Sequence, residues 1–157
     1  MRCALCKRSC GLKGGCEMSD NLIFRFDVSG NDFTSAGQAS VQVKKNLRQL
    51  GFNPEIIRRV SIAMYEGEIN MVIHAGGGTA EVIVSEEYIE IVLQDNGPGI
   101  KDIEQAMQAG YSTASDNIRS LGFGAGMGLP NMKKNTDSMD IKSTIGVGTC
   151  ITMRVLL

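Results

Sequence analysis

Nineteen glycines stand in 157 residues, and they are not scattered. They gather at Gly76-Gly77-Gly78, at Gly97 and Gly99, at Gly122, Gly124, Gly126 and Gly128, and at Gly146 and Gly148. Glycine loses more conformational freedom on folding than any other residue, so such clusters mark places where the backbone turns sharply or approaches something closely. They delimit the elements of a chain whose length predicts one domain.

Between the clusters the apolar pattern is regular. Leu22, Phe24, Phe26 and Val28 alternate with Arg25 and Asp27, which predicts a half-buried strand over 21–28. Asp32 or Ser35 is a candidate cap for a helix to about Leu50, with Val43, Leu47 and Leu50 as its apolar stripe and Gly51 as its stop. Asn53-Pro54 starts a second helix, predicted to reach about Ala75, with Ile57, Val60, Met64 and Met71 facing a core. Strands are predicted over 79–85 and 88–93, a short helix over 102–110 and a mobile polar loop over 111–123. A helix is predicted from the last glycines of that region to about Ser138, then two closing strands over 139–143 and 149–155. The order predicts an α+β fold: a two-layer α/β sandwich, with one mixed sheet and helices on one face.

Sixteen Lys and Arg against seventeen Asp and Glu give a net charge of −1, which removes the electrostatic case for binding nucleic acid or a membrane surface. Aromatics are 5% and Trp is absent, so stacking platforms for bases are not expected. No apolar run approaches the roughly 18 residues of a membrane span. The basic N-terminus lacks the apolar core of a signal peptide, which points to the cytoplasm.

Three motifs carry chemistry. Glu66 and Asn70 are four residues apart in the second helix, hence on one face and one turn apart. A carboxylate beside an amide oxygen suits a base next to a ligand for Mg²⁺, which takes oxygen donors; taken alone the pair also fits a solvated helix face. Asp95-x-Gly97-x-Gly99 ends a strand; the carboxylate can accept from an exocyclic amine such as adenine's, and an ordinary turn is the plain alternative. Gly122-x-Gly124-x-Gly126-x-Gly128-Leu129 follows a polar loop and opens a helix, the context in which exposed N–H groups meet a phosphate chain.

In this order and at this separation, the three motifs resemble the N-box and the two glycine boxes of the GHKL ATPase superfamily, whose domain is the Bergerat ATP-binding fold. The resemblance spans about 21–157. The stretch from Asp95-Asn96-Gly97-Pro98-Gly99-Ile100 through Gly110-Tyr111-Ser112-Thr113, with Gly146-x-Gly148-Thr149, is similar to the stand-alone anti-sigma and switch serine/threonine kinases of bacteria. The resemblance implies that Asn70 ligates Mg²⁺ on the ATP phosphates and that Glu66 accepts the proton of the substrate hydroxyl. It further implies that Asp95 binds the adenine amine with Thr149 nearby through water. Gly97 and Gly99 shape the adenine pocket, and Gly122, Gly124, Gly126 and Gly128 lie in a lid over the phosphates. Arg119 or Lys133 is expected to reach those phosphates.

The implied activity is transfer of the γ-phosphate to a Ser or Thr of a partner protein, an anti-anti-sigma-like antagonist, with a sigma factor as a second partner and homodimerisation in keeping with the family. The alternative is a non-catalytic, nucleotide-dependent regulator that sequesters its partner. Gly67 and Glu68 depart from the usual N-box, and 114–120 reads as an insertion in the lid. His74, the only histidine, is placed at a helix C-terminus, where the dipole favours it. Cys150 is expected to be a small buried strand residue.

Residues 1–17 stand apart from the domain over 18–157. Cys3, Cys6, Cys10 and Cys16 are spaced closely enough to wrap a zinc ion or an iron–sulfur cluster, although the spacing matches no standard pattern. The same stretch can be a translated leader. Lys13-Gly14-Gly15-Cys16-Glu17-Met18 can be encoded AAA-GGA-GGA-TGC-GAA-ATG, a purine-rich ribosome-binding site ahead of a start at Met18. If the thiols are real ligands or redox centres, they supply control of the ATP-binding domain; otherwise the segment is a tail.

Overall fold

The computed structural model describes residues 21–30, 33–120 and 122–157. The four N-terminal cysteines, the Met18 start and Asp32 lie outside the described residues. The described chain forms five strands and five α-helices: β1 (Leu22–Ser29), α1 (Gln38–Gln49), α2 (Pro54–Asn70), β2 (Gly77–Val84), β3 (Tyr88–Gln94), α3 (Ile103–Ala106), α4 (Asp116–Ser120), α5 (Gly128–Lys134), β4 (Ser138–Thr144) and β5 (Gly148–Leu156). Between α2 and β2 the chain makes a π-helical turn over Met71–Ala75.

The sheet order is β1-β2-β3-β5-β4, and every neighbouring pair is antiparallel. The expectation of a mixed sheet is therefore corrected. Strand direction is not written in apolar periodicity, and here β5 turns back from β4 and inserts beside β3. Alternation is respected across all five strands. Phe24, Val82, Ile91, Met153 and Met139 stand in one register row, and Phe26, Ala80, Leu93, Ile151 and Ile141 in the next. These rows join Val43, Leu47, Ile57, Val60, Met64 and Met71 from the helical side in a single core. Each large side chain fully buried there contributes about 1.5–3 kcal/mol. The opposite face is polar, with Arg25 paired to Glu81 (2.6 Å) and Arg154 to Glu90 (2.7 Å).

Asn53 caps α2 as its sequence announces: Oδ1 accepts the Glu55 N–H at 2.8 Å, with Pro54 at the first helical position. Asp102 caps α3 in the same way, accepting from the Gln105 N–H at 2.9 Å. Four expectations are corrected. The first helix begins at Gln38, after Gly37 in a left-handed conformation, and Leu50 is exposed beyond its last turn. α2 stops at Asn70, and the π turn completes the run to Ala75. The 111–123 loop contains α4. α5 ends at Lys134, because 138–144 is strand.

Candidate ATP site

Glu66 and Asn70 face α5, as the i, i+4 spacing requires. The Asn131 side-chain amide donates to Glu66 Oε1 at 2.7 Å, and Asn70 Nδ2 makes a long contact of 3.9 Å to Met132 Sδ. Gly128, at the start of α5, passes so close that a Cβ there would lie 2.9 Å from Asn70 Nδ2 and 3.0 Å from Oδ1. The N-box face and the end of the second glycine box are therefore in direct contact.

The two N-box departures have structural roles. A Cβ on Gly67 would collide with Leu93 Cδ1, so the missing side chain lets α2 rest on β3. Glu68 is buried, and its carboxylate accepts three backbone N–H groups at the start of α1: Gly37 (2.9 Å) and Ala39 (3.2 Å) at Oε1, and Ser40 (3.0 Å) at Oε2. These are orphan donors that every helix N-terminus leaves, and a negative group is also favourable against the dipole there. The α1 N-terminus is thus capped by a carboxylate from α2.

The adenine-side expectation centres on Asp95. Its Oδ1 accepts the Gly97 N–H (2.8 Å) and the Thr149 N–H (3.1 Å), which fixes the carboxylate and leaves Oδ2 for a ligand amine. Gly97 lies against the π turn, where a Cβ would meet Ala75 Cβ at 2.6 Å. Gly99 adopts φ 78°, and a Cβ would meet the Thr144 carbonyl oxygen at 2.5 Å, so both conformation and space demand glycine. Ser143, which the sequence reading missed, binds this corner together. Its Oγ accepts the Ile100 N–H (2.7 Å) and lies 2.8 Å from Thr149 Oγ1. The Gly146 N–H donates to the Pro98 carbonyl (2.9 Å), tying the β4–β5 turn to the same loop.

Gly122, Gly124 and Gly126 take positive φ values of 88°, 76° and 74°. The Gly126 carbonyl accepts the Gly110 N–H at 2.9 Å, and Phe123 packs near Phe33 with ring centroids 6.2 Å apart. Arg119 is exposed and donates to the Ser112 carbonyl at 3.1 Å, and Lys133 is exposed on α5. Neither arrangement selects a phosphate contact. Desolvation lowers the His74 imidazole below its ordinary 6.5, so the ring is mostly neutral at pH 7 and offers little helix-terminal charge. Cys150 is buried in β5. Among the described residues no three His, Cys, Asp or Glu side chains gather as a metal site, and nothing there supports zinc or an iron–sulfur cluster.

An antiparallel sheet under helices, an Asp held at a strand end, and a Glu/Asn face against a glycine-rich loop define an ATP-binding domain. The residues fit MgATP: Asp95 Oδ2 has no hydrogen-bond partner among the described residues, and the donor set at the other end, the Asn70 amide oxygen beside the Glu66 carboxylate, is the oxygen chemistry that Mg²⁺ takes. The chain matches the family described as "Histidine kinase-, DNA gyrase B-, and HSP90-like ATPase" over residues 55–157, and it belongs to that family. It is 31% identical over 116 residues to the serine/threonine-protein kinase RsbT of Bacillus subtilis (strain 168), a match covering 71% of this chain and 81% of that protein. It is 34% identical over 141 residues to the anti-sigma F factor of Clostridium novyi (strain NT), covering 81% and 95%. A crystal structure of the RsbU and RsbW domains of Rv1364c from Mycobacterium tuberculosis superposes with a TM-score of 0.59 at 15% identity, covering 86% of this chain and 32% of that one. That likeness bears out the two-layer α+β fold. Among the described residues no helix is long and apolar enough to cross a membrane.

Proposed function

We propose that the protein is a MgATP-dependent serine/threonine kinase of the anti-sigma and switch type, acting on an anti-anti-sigma-like partner protein. The observation that carries this reading is the Glu66/Asn70 face of α2 lying against α5, with Glu66 held by one oxygen and free at the other.

Bound MgATP supplies an electrophilic γ-phosphorus and a good leaving group. Asp95 Oδ2 accepts the adenine amine, and Ser143 and Thr149 hold that corner in shape. Asn70 would hold the Mg²⁺ ion through its side-chain oxygen, which would neutralise charge on the phosphates. The glycine-rich loop over 122–128 covers the phosphates. Glu66 Oε2 takes the proton of the attacking Ser or Thr hydroxyl as its oxygen bonds to the γ-phosphorus. The bond from that phosphorus to the β–γ bridging oxygen breaks, and ADP leaves with the bonding electrons. Most of the rate comes from positioning and charge neutralisation.

The test is calorimetric MgATP binding by the full chain beside Asn70→Ala, Asp95→Ala and Glu66→Ala, with label transfer from [γ-³²P]ATP to proteins of the parent organism. Binding lost in the first two variants and kept in Glu66→Ala, with label transfer lost in all three, is the expected result. Binding and label transfer that persist in Asp95→Ala and Asn70→Ala would sink the assignment.

A further inference from the structure

The Asn131 amide is a component of the site that neither glycine box nor N-box predicts. Its nitrogen must be the atom facing Glu66, because an amide oxygen at 2.7 Å from a carboxylate oxygen would be repelled. The bond occupies Oε1. Its carrier is fixed: the Asn131 carbonyl accepts Asn135 Nδ2 at 2.8 Å, and the buried Asn135 in turn offers its carbonyl to Arg59 Nε of α2 at 3.2 Å. Arg59 also pairs with Asp137 at 2.9 Å. At the other end of α5, Gly128 touches Asn70. The helix is thus pinned to α2 on both sides of the Asn131–Glu66 bond, and it begins where the glycine-rich loop ends.

We propose that Asn131 is a positioning residue for Glu66: its amide holds Oε1 so that Oε2 is presented to the substrate hydroxyl, and it links the alignment of the base to the seating of the glycine-rich loop. This rests on the reading of Glu66 as the base. The hydrogen bond acts through Glu66, so its loss changes turnover and leaves nucleotide affinity alone. Misplacement of a reacting group by about 1 Å costs up to roughly a hundredfold in rate.

The experiment uses the full chain with Asn131→Leu, Asn131→Gln, Glu66→Ala and the double variant Glu66→Ala/Asn131→Leu. Three quantities are read: the side-chain amide NMR signals of Asn131, the Kd for MgATP, and ADP release at saturating MgATP with water as acceptor. Expected results are a clear shift of the Asn131 amide signals in Glu66→Ala and an MgATP Kd for Asn131→Leu within about twofold of the parent. Turnover should fall about ten- to a hundredfold in Asn131→Leu, with partial recovery in Asn131→Gln. The double variant should be no slower than Glu66→Ala, since the two act as one unit. Unchanged turnover in Asn131→Leu, or losses that multiply in the double variant, overturn the proposal while leaving Glu66 as base. Glu66→Ala turning over like the parent, or a parent chain without turnover, overturns the base assignment and this inference with it.

Discussion

Glu68 is a point at which a single substitution reaches two helices at once. Its carboxylate, 2% exposed, serves three donors of α1 from a different helix. In Glu68→Gln the amide oxygen can keep the two donors at Oε1, but the NH₂ then faces the Ser40 N–H. One buried donor is orphaned, at about 1–3 kcal/mol, and the charge at the helix start is lost, at about 0.3–1 kcal/mol. Stability should fall by roughly 1.3–4 kcal/mol. For a chain of this size each kcal/mol moves Tm by about 2–4 °C, so the midpoint should drop by about 3–16 °C. Glu68→Ala orphans all three donors and leaves a void, and should cost about 3–5 kcal/mol. Urea unfolding at pH 7, followed by far-UV circular dichroism, reads both variants against the parent at constant m. The reasoning fails if Glu68→Gln lies within about 0.5 kcal/mol of the parent, or if Glu68→Ala is no worse than Glu68→Gln.

Gly67→Ala removes the roughly 1 kcal/mol helix penalty of glycine, yet drives a methyl into Leu93 Cδ1; a net loss of about 1–2 kcal/mol should appear in the same unfolding assay, and a net gain would refute the packing argument. Ser143→Ala deletes the bonds to Ile100 and Thr149 and should weaken MgATP binding about fivefold by calorimetry with little change in Tm. Asp137 is held below its ordinary 3.8 by the Leu156 N–H and then by Arg59. Its contribution is present above that value and is lost as pH falls through the lower folded-state value. The stability gap between parent and Asp137→Asn should therefore be constant near neutrality and close on acidification.

What was legible in the sequence was what is local. The Asn53-Pro54 start, the period-two strands and the Glu66/Asn70 face depend only on spacing along one element, and all stand in the structure. What failed depends on a second element. The α1 cap was sought among residues just before the helix, whereas Glu68 supplies it from 28–31 residues further along the chain. The cost of Gly67 within a helix was visible, but Leu93, the reason for it, lies on β3. Asn131 reads as one more polar helix residue until α5 is laid on α2. The sheet was expected to be mixed because periodicity fixes which face a side chain takes, not which way its neighbour runs.

Residues 66, 67 and 68 show why Glu66 can be held firmly on a helix that carries a glycine in its middle. Successive helical residues point about 100° apart, so three in a row sample three directions. Here each direction has its own partner: Glu66 reaches Asn131 on α5, Gly67 lies on Leu93 of β3, and Glu68 grips the start of α1. A roll of α2 about its axis that improves one of these contacts spoils the other two. The N-box departures, which in isolation weaken the helix, therefore fix its rotation and with it the direction of Glu66. It follows that substitutions at Gly67 or Glu68 should lower stability and turnover together, because both depend on the seating of α2. Asn131→Leu should separate them, lowering turnover with a much smaller change in stability, because it frees the carboxylate without loosening the helix that bears it.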